Sequence, residues 1–182
     1  MSLPNFMCIG AAKSGTTSLY DILKQHSDIF LPSFKEPHFF DIPSVYQNGI
    51  EWYEKTYFQS VKNEKCIGDF SPTYLFDEHA PERILNDLGD NVKFIIILRN
   101  PVDRAYSHYL HSKRDEHENL SFKDALSLEK NRVYCKKGRG DFFTDYYEMN
   151  IPSCCASLQL SLIWDMFFFI IFFTQYYGEL PP

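Results

Sequence analysis

Apolar runs, short loops and amphipathic stretches follow one another along the first two thirds of the chain. Residues 6–9 are an apolar run that ends at Gly10, and Leu19, Ile22 and Leu23 then recur at helical spacing. This pattern predicts a strand, a tight loop and a helix. A helix that begins after a glycine loop presents backbone N–H groups and the positive end of its dipole, and both favour a bound anion.

The later pattern predicts an alternation of strands and helices. Residues 92–98 (V-K-F-I-I-I-L) form a nearly continuous apolar run, typical of a central strand covered on both faces. Asn100 and Pro101 then suit an N-cap and a first helical position. The predicted elements are strand 6–9, helix 16–26, helix 49–58, strand 65–68, helix 81–88, strand 92–98, a helix from 101, and helix 118–130 capped by Ser121. We therefore predict an α/β, P-loop-like three-layer fold with a central parallel sheet flanked by helices.

Residues 151–182 differ in character from the rest of the chain. They contain no Lys or Arg, and their only acids are Asp165 and Glu179. The apolar stretch 162–173 is shorter than the about 20 residues of a bilayer-spanning helix, so no membrane span is predicted. We predict one domain over residues 1–150 and an atypical hydrophobic tail over 151–182. A frameshift, a read-through or an alternative exon would explain the tail, and so would a buried strand or helix.

Composition narrows the classes of function. The 182 residues suit one domain with a real core. With 18 basic and 24 acidic residues the net charge is −6, which argues against a general nucleic-acid binder and makes any anion site local. The five cysteines show no C-x-x-C spacing, which favours free thiols in a reducing compartment over a zinc site or a disulfide framework.

The first loop is comparable to the nucleoside-triphosphate P-loop, G-x-x-x-x-G-K-[ST]. Gly10 and Gly15 keep the spacing of its glycines, but Thr16 follows the second glycine and Lys13 lies inside the loop. The loop therefore keeps the glycine spacing of a phosphate-binding cradle, but its lysine stands at a different position. An ordinary strand-to-helix turn is the alternative.

Residues 35–41 (K-E-P-H-F-F-D) place ionisable groups beside aromatic ones. Pro37 disfavours a helical conformation at Glu36, so an extended or turning segment is predicted. In a cleft, burial can tune such a carboxylate as a general base. The alternative is a surface loop in which Phe39 and Phe40 pack into the core while the charged side chains are solvated.

A second anion pocket is predicted after strand 92–98. Arg99 lies at the mouth of the helix that follows, and Asp103, Arg104 and Ser107 share one face of it. A surface helix with a salt-bridged Asp–Arg pair is the alternative.

Asp69 and Ser71 follow the predicted strand 65–68 in a loop. Loops at the carboxyl ends of strands bind ligands in open α/β sheets. Together with Lys35, these two residues are therefore candidates for substrate binding.

In order and spacing, these motifs resemble the sulfotransferases that use 3′-phosphoadenosine 5′-phosphosulfate (PAPS). The similarity is greatest to the glycan-type branch, which includes heparan sulfate and chondroitin sulfate enzymes and their bacterial relatives. It covers about residues 5–130. The matching segments are K-S-G-T-T (13–17), K-E-P-H-F-F (35–40), G-I-E-W-Y (49–53), G-D-F-S-P (68–72) and R-N-P-V-D-R-A-Y-S (99–107).

The resemblance implies in-line transfer of a sulfuryl group from PAPS to a hydroxyl or amine of an acceptor, most often a carbohydrate. It implies Glu36 as the general base and Lys13 as the cation at the leaving group. His38 is the second candidate for the base, because the unperturbed pKa of histidine lies nearer neutrality. No metal is required. The implied cofactor-binding residues are Lys13, Ser14, Gly15, Thr16 and Thr17 at the 5′-phosphosulfate, and Arg99 and Ser107 at the 3′-phosphate.

Family members continue with a glycine-containing cofactor loop, further helices and a late strand, and nothing after about Tyr147 matches these. The fold is therefore predicted to be incomplete at the C-terminus. A truncated, non-catalytic nucleotide-binding module and a P-loop kinase or NTPase stay open as other functions. The expected partner is a glycan or small-molecule acceptor and not nucleic acid. The expected compartment is the cytoplasm if the N-terminus is native and the Golgi lumen if the chain is an excised catalytic domain.

Overall fold

A computed structural model describes residues 2–134 and 169–174 of the chain. Within them, the strands are β1 (Phe6–Gly10), β2 (Ile29–Phe30), β3 (Cys66–Phe70), β4 (Lys93–Leu98) and β5 (Phe169–Thr174). The helices are α1 (Thr16–Leu23), α2 (Pro43–Tyr46), α3 (Ile50–Tyr53), α4 (Ala80–Leu88), α5 (Pro101–Arg114) and α6 (Phe122–Tyr134). A π-helical turn, Glu54–Phe58, continues α3.

The strands form one sheet in the order β2-β3-β1-β4-β5. The pairs β2–β3, β3–β1 and β1–β4 are parallel, whereas β5 runs antiparallel to β4. The predicted α/β fold with a central parallel sheet is therefore confirmed. Because β1 and β3 are parallel and Cys8 pairs with Phe70, both strands end at the same edge of the sheet.

Hydrophobic cores cover both faces of β1. Successive side chains of a strand point to opposite faces, so Met7 belongs to one core and Phe6 and Cys8 to the other. The first core is largely aromatic and also receives α4, while the second receives α1 through Tyr20. Helices on both faces of the sheet give the predicted three layers.

The described residues divide into two compact units. One holds residues 2–98 with 169–174, and the other holds residues 99–134. In the second unit, the Asn100 side chain caps α5 by accepting from the N–H groups of Val102 at 3.0 Å and Asp103 at 3.3 Å, as the sequence predicts. The Tyr109 hydroxyl of α5 donates to the Leu120 carbonyl, just before α6, at 3.1 Å.

Several boundaries differ from the predicted ones. Helix α1 ends at Leu23, three residues early. Strand β3 runs through Phe70, so Asp69 lies in the strand and not in the following loop; its pairing with Met7 extends the ladder beyond the apolar run. Helix α6 begins after Ser121 and not at 118, because the Ser121 hydroxyl accepts from the Asp124 N–H at 3.2 Å.

Strand β5 lies in the atypical tail, where a strand was one of the alternatives. The remaining tail residues, 151–168 and 175–182, are outside the described part of the chain, and the predicted domain boundary at 150 stays a prediction. Among the described helices, none combines the length and apolarity that crossing a bilayer requires.

Candidate active site

The loop between β1 and α1 has the backbone of an anion cradle. Lys13 (φ 64°) and Gly15 (φ 96°) both lie in the left-handed region, and Gly15 adopts it at the N-cap of α1 without the steric cost of a Cβ. The loop is held by Ala11 N–H, which donates to the Ile97 carbonyl at 2.9 Å, and by Ser14 N–H, which donates to the Ala11 carbonyl at 3.2 Å. The first N–H groups of α1 point toward the loop, as at any helix N-terminus, and within the described residues no side chain caps them.

Ser14 gives a direct test of whether this loop suits a phosphate. Its side chain is fully buried, and its hydroxyl has no hydrogen-bond partner within residues 2–134 and 169–174. Buried hydroxyls are normally paired, so an acceptor oxygen from a bound anion fits this position. Nearby, Thr16 is buried, Thr17 is exposed and Lys13 is half-buried.

Residues 35–41, which we call the catalytic loop, are anchored by two aromatic side chains. Phe39 and Phe40 are fully buried, and the Phe39 ring stacks on Tyr53 with centroids 4.3 Å apart. Glu36 (φ 63°) and His38 (φ 53°) are both left-handed, on either side of Pro37. Non-glycine residues in this region are strained and are held there by their surroundings.

The charged side chains of the catalytic loop form one cluster. Glu36 accepts from the Lys35 ammonium through Oε1, and its Oε2 lies 3.6 Å from His38 Nε2. On its other side, His38 Nδ1 lies 3.0 Å from Asp41 Oδ2. The Thr73 hydroxyl lies 3.2 Å from the same nitrogen and donates to the same Asp41 oxygen. The imidazole is thus fixed between two carboxylates.

This cluster sets the protonation of its members. Burial by itself raises the pKa of Glu36, but the His38 hydrogen bond and the Lys35 charge outweigh it and lower the pKa to about 2. Burial by itself lowers the pKa of His38, but its hydrogen bonds to Asp41 and Glu36 raise the pKa to about 9. At pH 7, therefore, Glu36 is an ionised acceptor, while His38 already carries its proton and is poorly suited to act as a base.

The raised pKa of His38 predicts a pH-dependent stability. A pKa raised from 6.5 to about 9 on folding means that the stabilisation is fully present below pH 6.5 and is lost as the pH rises to 9. We expect the difference in unfolding free energy between the wild type and His38→Gln to shrink by up to about 3 kcal/mol from pH 6 to pH 9.5. Urea unfolding of both proteins across this range measures it. A difference that stays constant with pH would contradict the ion pairs.

Asp69 and Ser71 are fully buried and not open to solvent. Asp69 accepts hydrogen bonds from the hydroxyls of Tyr53, Ser71 and Tyr74. Burial raises the pKa of Asp69 to about 6, although these hydroxyls oppose the rise. In this conformation neither residue has surface to offer an acceptor, so the predicted substrate contact stays a prediction that the burial does not favour.

The tertiary structure brings the cradle and the catalytic loop to one edge of the sheet. The chain after β3 crosses the end of β1, where Leu75 N–H donates to the Ile9 carbonyl at 2.9 Å. Gly10 permits this crossing, because a Cβ there would lie 2.7 Å from Leu75 Cβ. The Tyr20 hydroxyl of α1 also donates to the Pro32 carbonyl, just before the catalytic loop.

The residues predicted to bind a second phosphate belong to the other unit. Arg99 precedes the cap of α5 and is half-buried, as is Ser107 within the helix. Arg104 is buried and Asp103 is exposed, and the salt-bridged Asp–Arg pair of the alternative stays a prediction. The role of Arg99 and Ser107 stays a prediction.

Sequence reasoning missed four residues that shape this site. Asp41 and Thr73 fix the His38 imidazole, and Tyr53 and Tyr74 surround Asp69. Asp41 is the last residue of the singled-out segment 35–41 and Thr73 follows the segment 68–72, but neither residue was given a role. Their partners are 32 or more positions away or depend on the local turn, so spacing could not reveal the contacts.

The comparisons with known proteins agree on one family. A family profile described as "Sulfotransferase domain" matches residues 3–156. The sulfotransferase from Alicyclobacillus acidocaldarius has a similar solved structure, with a TM-score of 0.69 and 34% identity, over 87% of this chain and 68% of that one.

Curated relatives match over a shorter part of their own length. The membrane-associated sulfotransferase kil1 of Dictyostelium discoideum is 43% identical over 111 residues, which is 60% of this chain and 23% of the relative. The human heparan sulfate glucosamine 3-O-sulfotransferase 5 is 40% identical over 111 residues, 59% of this chain and 30% of the relative. The mouse bifunctional heparan sulfate N-deacetylase/N-sulfotransferase 4 is 42% identical over 123 residues, 63% of this chain and 14% of the relative. The aligned part therefore amounts to a third or less of each of these relatives.

Proposed function

This chain belongs to the sulfotransferase family, and from that membership we propose that it transfers a sulfuryl group from PAPS to a hydroxyl or amine of a carbohydrate acceptor. The names of two relatives, which specify heparan sulfate, support the acceptor class. Two observations carry the proposal: Glu36 is ionised and partly exposed, and in the β1–α1 loop the buried Ser14 hydroxyl has no hydrogen-bond partner within the described part of the chain.

Glu36 is the proposed general base. Its side chain is 35% exposed, so an acceptor hydroxyl can reach it, whereas His38 and Lys35 are about half as exposed. Sulfuryl transfer is analogous to phosphoryl transfer, whose loose transition state places most of the catalysis in positioning and charge stabilisation. Under these conditions a carboxylate of low pKa can serve as the base. It first orients the nucleophile, and it takes the proton of the nucleophile only late in the reaction.

The β1–α1 loop is the proposed site for the 5′-phosphosulfate. When bound there, PAPS supplies the activated sulfuryl group. The Ser14 hydroxyl, the N–H groups at the start of α1 and the hydroxyls of Thr16 and Thr17 would hold the phosphate. Lys13 would neutralise the negative charge that grows on the leaving oxygen.

Arg99 and Ser107 are the proposed ligands of the 3′-phosphate, the group that distinguishes PAPS from ATP. We expect Arg99→Ala to weaken binding of adenosine 3′,5′-bisphosphate by about 10- to 100-fold, because it removes a charge-assisted hydrogen bond. Binding of adenosine 5′-phosphate, which lacks the 3′-phosphate, should hardly change. Calorimetric titration measures both affinities.

Arg114→Ala is the matched control for this prediction. Arg114 is the last residue of α5, the helix that Arg99 precedes, and its side chain is 70% exposed and pairs with Asp115. Equal losses of the two ligands in Arg99→Ala would contradict a specific 3′-phosphate contact.

The function itself is tested by binding and transfer together. We expect calorimetry to give tighter binding of adenosine 3′,5′-bisphosphate than of ADP, and radiolabelled PAPS to transfer sulfate to a heparan-type oligosaccharide. Nucleotide binding without transfer to any acceptor would favour a non-catalytic binding module. Mg²⁺-dependent ATP binding with no preference for a 3′-phosphate would favour a kinase or NTPase and overturn the proposal.

The domain limits and the compartment stay predictions. We propose that residues 1–150 are the PAPS-binding domain and that residues 151–182 are an atypical tail.

A further inference from the structure

We propose that the buried carboxylate of Asp69 is a positioning group that holds the catalytic loop through the hydroxyls of Ser71 and Tyr74. For its effect on turnover, this inference rests on the proposed function, because the loop matters to transfer only if Glu36 serves as the base. It gives Asp69 and Ser71 a structural link to the reaction in place of direct contact with an acceptor.

Asp69 lies at the centre of a cluster of hydroxyl groups. The Ser71 hydroxyl donates to Oδ1 at 2.7 Å, and the Tyr74 hydroxyl donates to Oδ2 at 3.0 Å. The Tyr53 hydroxyl donates to the same Oδ2. An ionised carboxylate can only accept hydrogen bonds, so it directs all three hydroxyl protons toward itself.

Two of these hydroxyl oxygens consequently turn their lone pairs toward the catalytic loop. The His38 N–H donates to Ser71 Oγ at 3.4 Å. The Phe39 N–H donates to the Tyr74 hydroxyl at 3.1 Å, and the Phe40 N–H approaches the same oxygen at 3.5 Å. Two relays therefore run from loop amides through a hydroxyl to one carboxylate.

The relays act where the loop needs support. Glu36 and His38 both have positive φ, and such backbone persists only where its surroundings fix it. Pro37 has no N–H, so His38 provides the first backbone donor after Glu36. The relays hold the backbone directly after the proposed base and thereby set its position and the orientation of the His38 imidazole.

Tyr53 separates positioning from simple stabilisation of the core. Tyr53 and Tyr74 are both fully buried and donate to the same carboxylate oxygen. Among the described residues, only Tyr74 of the two accepts from a loop amide. Tyr53→Phe and Tyr74→Phe are therefore the same chemical change, but only Tyr74→Phe removes a relay.

The first measurement needs no substrate. Amide hydrogen exchange, followed residue by residue by NMR in the full chain, should show faster exchange at Phe39 in Tyr74→Phe and at His38 in Ser71→Ala. Tyr53→Phe should leave both amides protected, although its thermal unfolding midpoint should fall about as far as that of Tyr74→Phe. Equal exchange at Phe39 in the two tyrosine variants would overturn the proposal.

The second measurement is turnover. We expect Tyr74→Phe and Ser71→Ala each to lower kcat roughly tenfold or more with KM for PAPS unchanged, because small displacements of a catalytic group are costly. Tyr53→Phe should lower kcat much less. Equal reductions of kcat in Tyr53→Phe and Tyr74→Phe would assign the cluster to stability alone.

The two measurements distinguish failure of this inference from failure of the proposed function. If wild-type protein transfers no sulfate but the exchange pattern is as expected, the proposed function fails while the relays stand. If transfer occurs and the exchange pattern is absent, the relays fail while the function stands.

Discussion

Glu36→Gln is expected to lower kcat for sulfuryl transfer by about 10²–10⁴-fold, the range of a general base, while adenosine 3′,5′-bisphosphate still binds. The amide keeps the shape of the carboxylate and can still accept from Lys35, but it cannot take a proton from the acceptor. Single-turnover transfer from radiolabelled PAPS, together with calorimetric titration of the nucleotide, measures the two effects separately.

Glu51→Gln is the control for that variant. Glu51 is an exposed residue of α3, so the same chemical change there should leave turnover and nucleotide affinity as in the wild type. Unchanged turnover in Glu36→Gln would remove Glu36 from the role of base. A loss confined to nucleotide affinity would instead assign Glu36 to binding.

Lys13→Ala is expected to lower kcat by about 10²–10³-fold, because it removes a positive charge from the position where negative charge develops. Nucleotide affinity should also fall, by about 10-fold or more, through loss of a charge-assisted contact. Since Lys13 has positive φ, Lys13→Gly serves as a second variant in which the backbone conformation is relaxed. Rapid-quench kinetics and calorimetry give the two quantities.

Lys62→Ala controls for the loss of one positive charge. Lys62 is exposed and lies between the π-helical turn and β3. If Lys62→Ala and Lys13→Ala weakened nucleotide binding equally, the effect would be one of net charge and not of the cradle. If Lys13→Gly restored kcat, the backbone of the loop would matter and the ammonium group would not.

The elements that depend on local signals were well predicted from the sequence. The apolar runs 6–9 and 92–98 became β1 and β4, and the Asn100–Pro101 pair became a helix start with the expected side-chain cap. Ser121 caps α6 as predicted, although the preceding residues stay outside the helix. Each of these features is decided within a few residues, where hydrophobic periodicity and capping act.

The interior of the catalytic loop was predicted only in part. Its charged residues and its anchoring phenylalanines were recognised together as one dense segment. The sequence offered two alternatives, a cleft for the charged groups or a surface loop with buried rings and solvated charges. The structure buries the rings, but the side chains of Lys35, Glu36 and His38 are only 18%, 35% and 19% exposed and are therefore not fully solvated. The role of Thr73 beside His38 was not predicted, because the two lie 35 positions apart.

The sequence by itself determined the strands β1 and β4, the helices that follow them, the loop with its internal lysine, and the membership of Glu36 in a charged turn. These depend on composition, spacing and short-range sterics. Only the tertiary structure decided the protonation states of Glu36 and His38 and which groups fix the catalytic loop. Those properties depend on Lys35 and Asp41 flanking the pair of Glu36 and His38, and on Asp69 being enclosed by hydroxyls. A pKa depends on charges and burial in three dimensions, and a parallel sheet gathers at one edge loops that are far apart along the chain.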